Sequence, residues 1–415
     1  MIRIKNTATL LLVNILEWYD YSVNLYFSSE ILKHFFTPIS HLSHALFTYL
    51  MVFLTIVVRP LGGYVLSWVG DMSSNEKSLR IAFCLMLVPT LCVGILPAFE
   101  YWGYAAPLIY VLLRMLQGMS AGAQYTSTLN QLATQATKHR GGFQVSFGFV
   151  SSMVGYLVAT VVCFLCLHYL HPWMSTWAWR VPFLLSALAF CFMPSFFKLL
   201  QASEVSVKTC PASTIKLRQI PLAWYVRGVS FAGLGGIIYY TVFVYLFNFE
   251  EAVNSLVTIK DSMLINGVNI VFLCFLVPFF SYLSDIYGRK LIMRISACGF
   301  ICLAPVLLMG FAQLPWPGIY GVNFLFVALA SAFIGPITVV YTELAPQGCR
   351  QRFSALTYNL GTVFIGATAP LMVVGLSHIV HKVQALAFYW VLTGVLSLLV
   401  LLGPVHAKDM FKNQT

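Results

Sequence analysis

Two carboxylates stand where an apolar chain would avoid them. Glu17 and Asp20 lie in the run Asn14-Ile15-Leu16-Glu17-Trp18-Tyr19-Asp20-Tyr21, inside a long apolar segment near the N-terminus. An ionised side chain at the centre of a membrane helix costs about 2.5–3.5 kcal/mol on insertion scales, and intramembrane acids commonly mark ion or substrate paths. A carboxyl group that alternates between an apolar surrounding and a neighbouring cation can take up a proton on one side of a membrane and release it on the other. Helical spacing sets Asn14, Glu17, Tyr21, Asn24 and Ser28 on one stripe, with Asp20 on its flank. Such a stripe can face a polar cavity while the opposite side faces lipid. The plainer alternative is that both acids are paired with buried cations.

Arg114 is the natural partner, because it lies mid-span and an unpaired cation there would be costly. It is either a static counter-ion to Glu17 or Asp20, or also a fork for a substrate carboxylate. Arg59 directly precedes Pro60 and reads as a packing residue. Gln124 cannot titrate, so it leaves any proton coupling to the first span and can only line a site. Tyr239, Tyr240 and Tyr245 fall in one later span, where aromatic faces could hold a quaternary ammonium group. Core packing explains each of them equally well. Asn266, Asn269 and Asn359 are uncharged polar groups within spans and are further candidates for a site lining.

These residues must be positioned by membrane helices. Of 415 residues, 59% are hydrophobic and 9% charged, against about 25% charged in a soluble domain. The mean hydropathy is +0.83. Barrel strands would alternate over about 10 residues, whereas the apolar runs here are long and continuous. The cationic start, Met1–Lys5, is not read as a signal peptide, since Asn14, Glu17 and Asp20 follow and no small-residue cleavage site does. Hydropathy predicts about twelve spans, at 8–32, 44–70, 79–98, 104–134, 142–168, 178–199, 225–249, 262–284, 291–311, 318–343, 353–379 and 384–404. With the N-terminus inside, 18 Lys and Arg fall on the inner side and four on the outer, with Arg59 and Arg114 within spans. This split predicts that both termini are cytoplasmic, and it accounts for the net charge of +11 without nucleic acid. The remaining acids divide between the two edges, so Glu17 and Asp20 are the mid-membrane pair.

The polar stretch 201–222 is expected to be a cytoplasmic linker between bundles at 1–200 and 223–415. Asp71 and Asp285 lie 214 positions apart, and Arg140 and Arg352 lie 212 apart. Two landmarks with nearly one offset indicate duplication. The predicted fold is therefore an all-α membrane protein of two six-helix repeats, the architecture of a rocking transporter with a midplane site.

Asp285-Ile286-Tyr287-Gly288-Arg289-Lys290 resembles the loop motif of the major facilitator superfamily. Asn14-x-x-Glu17-Trp18-x-Asp20, Arg59-Pro60-Leu61-Gly62-Gly63, Arg114-x-x-Gln117-Gly118, Trp179-Arg180-x-Pro182-Phe183 and Glu343-x-x-Pro346-x-x-x-Arg350 resemble its metabolite:proton symporters, which include proline/betaine and α-ketoglutarate permeases. The resemblance spans nearly the whole chain. It implies proton-coupled uptake of a small zwitterion or organic acid by alternating access, in a bacterial inner membrane. It also implies gating roles for Asp71, Asp285, Gly288 and Arg289, with Glu343 and Arg350 closing a matching corner.

The chain departs from the family at four places, one of them Asn130-Gln131-Leu132-Ala133, which lacks the acidic residue expected near the end of the fourth span. Ser74-Asn75 replaces Gly-Arg in the first loop, Gly122-Ala123-Gln124 stands where similar proteins often carry Gly-Gly-Glu, and no long C-terminal extension follows. Osmosensing is not expected. Neither a metal nor a cofactor is expected: Cys163-x-x-Cys166 and Cys298/Cys302 read as helix packing, and no phosphate loop occurs. No catalytic constellation suggests an enzyme. The expected partners are a small substrate, protons and lipid, and a monomer is expected. Export or facilitated diffusion is the alternative transport reading, and a receptor would need a signalling domain that no loop is long enough to supply.

Overall fold

The computed structural model describes residues 2–36, 54–73, 75–137, 139–170, 177–191, 217–246, 259–346 and 348–403. They are helical almost throughout, and no strand occurs among them. Helical segments fall within every one of the twelve expected spans. In the first half these are α1 (Ile2–Tyr26), α2 (Ser28–Phe35), α3 (Arg59–Met72), α4 (Asn75–Ile95), α5 (Ala105–Gln135), α6 (Gly141–Leu165) and α7 (Val181–Cys191). In the second half they are α8 (Leu222–Tyr240), α9 (Ile259–Tyr287), α10 (Arg289–Gly310), α11 (Trp316–Glu343), α12 (Arg350–Gly361), α13 (Ala369–Ser377) and α14 (Lys382–Leu402). A π-helical turn, Thr362–Gly366, follows α12 on the way to α13, and another, Thr241–Tyr245, extends α8. The start of the second expected span, the loop around His171-Pro172-Trp173 and most of the expected linker lie outside the described residues.

Seven helices among the described residues are long and apolar enough to cross a membrane. The long helices α1 and α5 are not among them, because each carries charged and amide side chains mid-helix. The chain divides into two compact units, residues 1–131 with 151–213, and residues 132–150 with 214–415. The first turns of α6 thus group with the second unit and its remainder with the first.

The first unit is drawn together by small residues. A Cβ on Gly62 would sit 2.2 Å from the Met119 Cα, one on Gly118 would lie 2.3 Å from the Thr55 carbonyl oxygen, and one on Gly122 would lie 2.0 Å from that of Arg59. The Gly118-x-x-x-Gly122 spacing therefore lets the α5 backbone touch α3, as small-residue pairs do in membrane helix contacts. Arg59 is carried against α5 by this contact. On the other side, Gly155 of α6 abuts α1 at the Ile15 carbonyl. An aromatic core of Phe27, Phe35, Tyr110, Trp179 and Phe183 closes the opposite end of the unit. Phe35 stacks on Tyr110 with ring centroids 5.3 Å apart.

In the second unit α10 packs on α14, α9 on α11, and α8 on α12. Trp390 of α14 is fully buried between Phe300 and Phe326, and its indole N–H donates to Thr241 Oγ1 at 2.8 Å. Gly288 links α9 to α10 with φ of +95°, a conformation that side chains beyond glycine rarely adopt.

Candidate substrate and proton site

α1 and α5 run antiparallel with their polar stripes facing. Gln117 Nε2 donates to Asp20 Oδ2 at 3.0 Å, and Gln124 Nε2 donates to the Val13 carbonyl at 3.3 Å. Near one end of the pair, Tyr110 donates to Asn24 Oδ1 at 2.9 Å. This register sets Glu17 level with Ser120. The Ser120 hydroxyl is turned away and donates to the Ala82 carbonyl at 2.7 Å. Both Glu17 oxygens are buried, and no protein donor reaches either among the described residues. The cation whose charge acts on Glu17 is Arg59.

Asp20 is held differently. Gln117 donates to it and also to Thr90 Oγ1 at 2.9 Å, and accepts from Arg114 Nη1 through its Oε1. Arg114 also donates from Nε to the Tyr110 hydroxyl at 3.3 Å. Arg114 is therefore not in contact with either acid, as direct pairing would require. Its charge acts on Asp20 through one intervening amide. The reason is geometric: Arg114 and Gln117 are three apart on one helical face, so the amide intercepts the guanidinium. Sequence reasoning included Gln117 only as part of a family motif, since a neutral amide carries no charge to balance. Arg59 also differs from expectation. It is more than a packing residue, for its guanidinium lies 4.7 Å from the Tyr21 ring centroid and its charge reaches Glu17.

Asn14 is fully buried and donates to both Ser151 and Ser152 Oγ at 2.8 Å, fastening α1 to α6. Tyr21 is half-buried and packs edge-on against Trp18 at 5.9 Å. Trp18 in turn meets Tyr125 at 6.4 Å. Gln124 is buried, and no protein donor reaches its Oε1 among the described residues.

The second-unit candidates lie on α8 and its π-helical extension, on α9 and on α12. Tyr239 packs against Tyr240, Phe243 and Phe149 at 5.5, 5.5 and 6.2 Å. Tyr245 lies in the π-helical turn. Asn266 is half-buried, while Asn269 donates to Asn323 Oδ1 at 3.2 Å. Asn359 is buried and donates to the Ala355 carbonyl one turn back at 2.7 Å.

A separate ionic cluster gathers at the start of α6. Asp285 accepts from the backbone N–H groups of Gly142 at 2.8 Å and Phe143 at 2.9 Å. First-turn N–H groups have no partner within their helix, and the helix dipole favours an anion there. Arg289 bridges Asp285 at 2.5 Å and Glu343 at 3.3 Å. Arg350 donates to the Thr342 carbonyl at 3.1 Å, with the Glu343 charge acting on it. A Cβ on Gly142 would stand 2.7 Å from Arg289 and 2.9 Å from Asp285, so glycine permits this approach. Asp71, the counterpart of Asp285 in the first half, is half-buried at the end of α3.

The sequence matches the family model "Sugar (and other) transporter" over residues 6–204. It is 26% identical over 402 residues to a "Putative proline/betaine transporter" of Staphylococcus haemolyticus, covering 94% of this chain and 84% of that one. It is 27% identical over 377 residues to the citrate-proton symporter of Klebsiella pneumoniae, covering 86% and 82%. With the α-ketoglutarate permease of Escherichia coli the identity is 25% over 386 residues, covering 92% and 88%. Among solved structures, the proton:xylose symporter XylE bound to 6-bromo-6-deoxy-D-glucose superposes with a TM-score of 0.71 at 16% identity, covering 96% and 94% of the two chains. A bacterial homologue of the iron transporter ferroportin superposes with a TM-score of 0.70 at 15% identity, covering 95% and 99%. The seven helices able to cross a membrane among the described residues and these likenesses give the chain the fold of multi-pass membrane transporters. The chain has the fold of solved major facilitator superfamily transporters, and its sequence is similar to curated proline/betaine, citrate and α-ketoglutarate transporters.

Proposed function

We propose that this protein imports a small zwitterionic or organic-acid metabolite together with protons, by alternating access. The observation that carries the reading is Glu17: a buried carboxyl group that no protein donor reaches at either oxygen among the described residues, one turn from a second buried acid. Desolvated carboxylates without hydrogen bonds are expensive to keep charged. Glu17 and Asp20 are thus groups whose charge can depend on a proton or a bound solute. The named relatives include a citrate-proton symporter and a proline/betaine transporter, which agrees with this chemistry.

In this reading Arg114, Asn14, Tyr21 and Gln124 of the first unit, and Tyr239, Tyr240, Asn266 and Asn359 of the second, are the substrate-binding candidates. Asp71, Asp285, Gly288, Arg289, Glu343 and Arg350 act in gating. The excess of Lys and Arg on one set of loops supports cytoplasmic termini in a bacterial inner membrane, and residues 201–222 link two six-helix bundles. The driving force is adequate. One charge moved across 100 mV contributes about 2.3 kcal/mol. One pH unit adds about 1.36 kcal/mol. Together these sustain roughly 500-fold accumulation of a neutral solute.

The test is uptake into proteoliposomes under an imposed pH gradient, with proline, betaine, citrate and α-ketoglutarate offered in turn. Acid outside should drive accumulation, and a protonophore should abolish it. Glu17→Gln and Asp20→Asn should each reach the membrane at normal levels and fail to accumulate solute. Wild-type uphill uptake in both variants would sink the proposal.

A further inference from the structure

We infer that the strip between α1 and α5 selects a substrate whose charged nitrogen still bears N–H bonds, an amino-acid-like zwitterion, over quaternary ammonium compounds and dicarboxylates. The inference rests on the transport reading above and narrows its substrate. Its ground is an imbalance of donors and acceptors. Among the described residues, the side-chain oxygens along this strip that no protein donor reaches include both of Glu17, Oδ1 of Asp20 and Oε1 of Gln124. The donors facing it are fewer: Arg114 Nη2 and the Ser186 hydroxyl beside Asp20, while the Arg59 guanidinium, whose charge reaches Glu17, lies over the Tyr21 ring. Glu17, Asp20, Gln124 and Arg114 are at most 3% exposed. The facing hydroxyl that could have served Glu17, that of Ser120, is committed to Ala82.

A ligand that satisfies such a strip must donate several hydrogen bonds and accept few. A protonated primary or secondary amine does so: its N–H bonds reach Glu17, and its carboxylate meets Arg114 Nη2, whose planar fork suits that group. A trimethylammonium group has no N–H to give and depends on open aromatic faces. Those nearest are taken, since Arg59 covers the Tyr21 ring and Trp18 packs against Tyr21 and Tyr125. A dicarboxylate would bring two negative charges to a strip already holding two acids, with nothing to donate. The two acids then have separate duties. Glu17, which has no protein donor, takes the substrate nitrogen. Asp20, fixed by Gln117, accepts the coupling proton at its open Oδ1.

The experiment measures binding to the purified full-length protein in detergent, without any gradient, by thermal stabilisation and calorimetry. The probes are the twenty amino acids, betaine, citrate and α-ketoglutarate, followed by the N-methylated series of the tightest amine. For proline that series is N-methylproline and N,N-dimethylproline. At least one amine should bind. Affinity should fall at least tenfold from the parent amine to its quaternary form. In Glu17→Gln this discrimination should shrink below threefold. Equal or tighter binding of the quaternary compound overturns the inference, as does binding confined to betaine or the dicarboxylates, or no binding by any amine. The wild-type methylation series decides the question even if Glu17→Gln does not fold. Binding is read without a gradient, so absence of proton coupling in vesicles leaves the selectivity result standing, and the reverse also holds.

Discussion

At the scale of the residue, the site is a chain of relayed contacts. Arg114, Gln117 and Asp20 form one unit, and Gln117 is its middle. Removing Arg114 alone leaves Asp20 in the interior without its balancing charge, and removing Asp20's charge leaves Arg114 equally exposed in energy. Breaking a buried charge pair typically costs about 3–5 kcal/mol, whereas removing both partners can be nearly neutral. Arg114→Met and Asp20→Asn should therefore each lower the melting temperature markedly in detergent, and the double variant should recover most of the loss. Substrate binding should stay absent in the double variant, because the carboxylate fork is gone. Recovered binding would leave Arg114 a structural counter-ion only. Much of this site is legible in the sequence, because charges in an apolar run announce themselves. Gln117 and the role of Arg59 are not. An amide mid-helix has no signature of its own, and the reach of Arg59 to Glu17 depends on how closely α3 can approach α5.

At the scale of the element, two helix contacts govern the rest. The first is the approach of α3 to α5 at Gly118 and Gly122. A side chain at Gly122 meets backbone, which cannot swing aside, so the helices must separate. Gly122→Leu should abolish folded protein on size-exclusion chromatography, while the same change at Gly267, whose Cβ would meet nothing within 4 Å, should be tolerated. Overpacking alone typically costs about 1–3 kcal/mol. A tolerated Gly122→Leu would show that the contact is looser than it stands here. The second is the docking of Asp285 on the first turn of α6. Asp285→Asn keeps the shape but leaves one carbonyl oxygen where two carboxylate oxygens accepted, and removes the charge that Arg289 holds. A hydrogen bond to a charged group contributes about 1.5–3 kcal/mol. Cysteine-accessibility labelling should shift its balance by tenfold or more, with substrate affinity in a locked state little changed. An unaltered labelling pattern would count against gating.

At the scale of the molecule, hydropathy carried the all-helical architecture, since long apolar runs follow from burial in lipid. What it could not carry is the geometry inside a span. The sequence reads α12 and α13 as one continuous helix, and the π-helical turn at Thr362–Gly366 between them has no compositional mark. The first turns of α6 join the second unit although their sequence lies in the first half, because Asp285 captures their N–H groups and a linear reading cannot see that partner.

The weak apolarity of α1 and α5 bears on how the chain is made. α1 is synthesised before α3 and α5, and it carries two acids whose joint insertion penalty is about 5–7 kcal/mol. Its natural counterparts, Arg59 and the Arg114–Gln117 pair, emerge only later from the ribosome. α1 should therefore insert poorly when translated alone and efficiently once the segments through α5 follow it. In a glycosylation-mapped translation assay, truncation before Arg114 should lower the inserted fraction of α1, and Glu17→Leu with Asp20→Leu should restore it. The same groups that would move a proton in the finished protein thus make its birth depend on cooperation between spans.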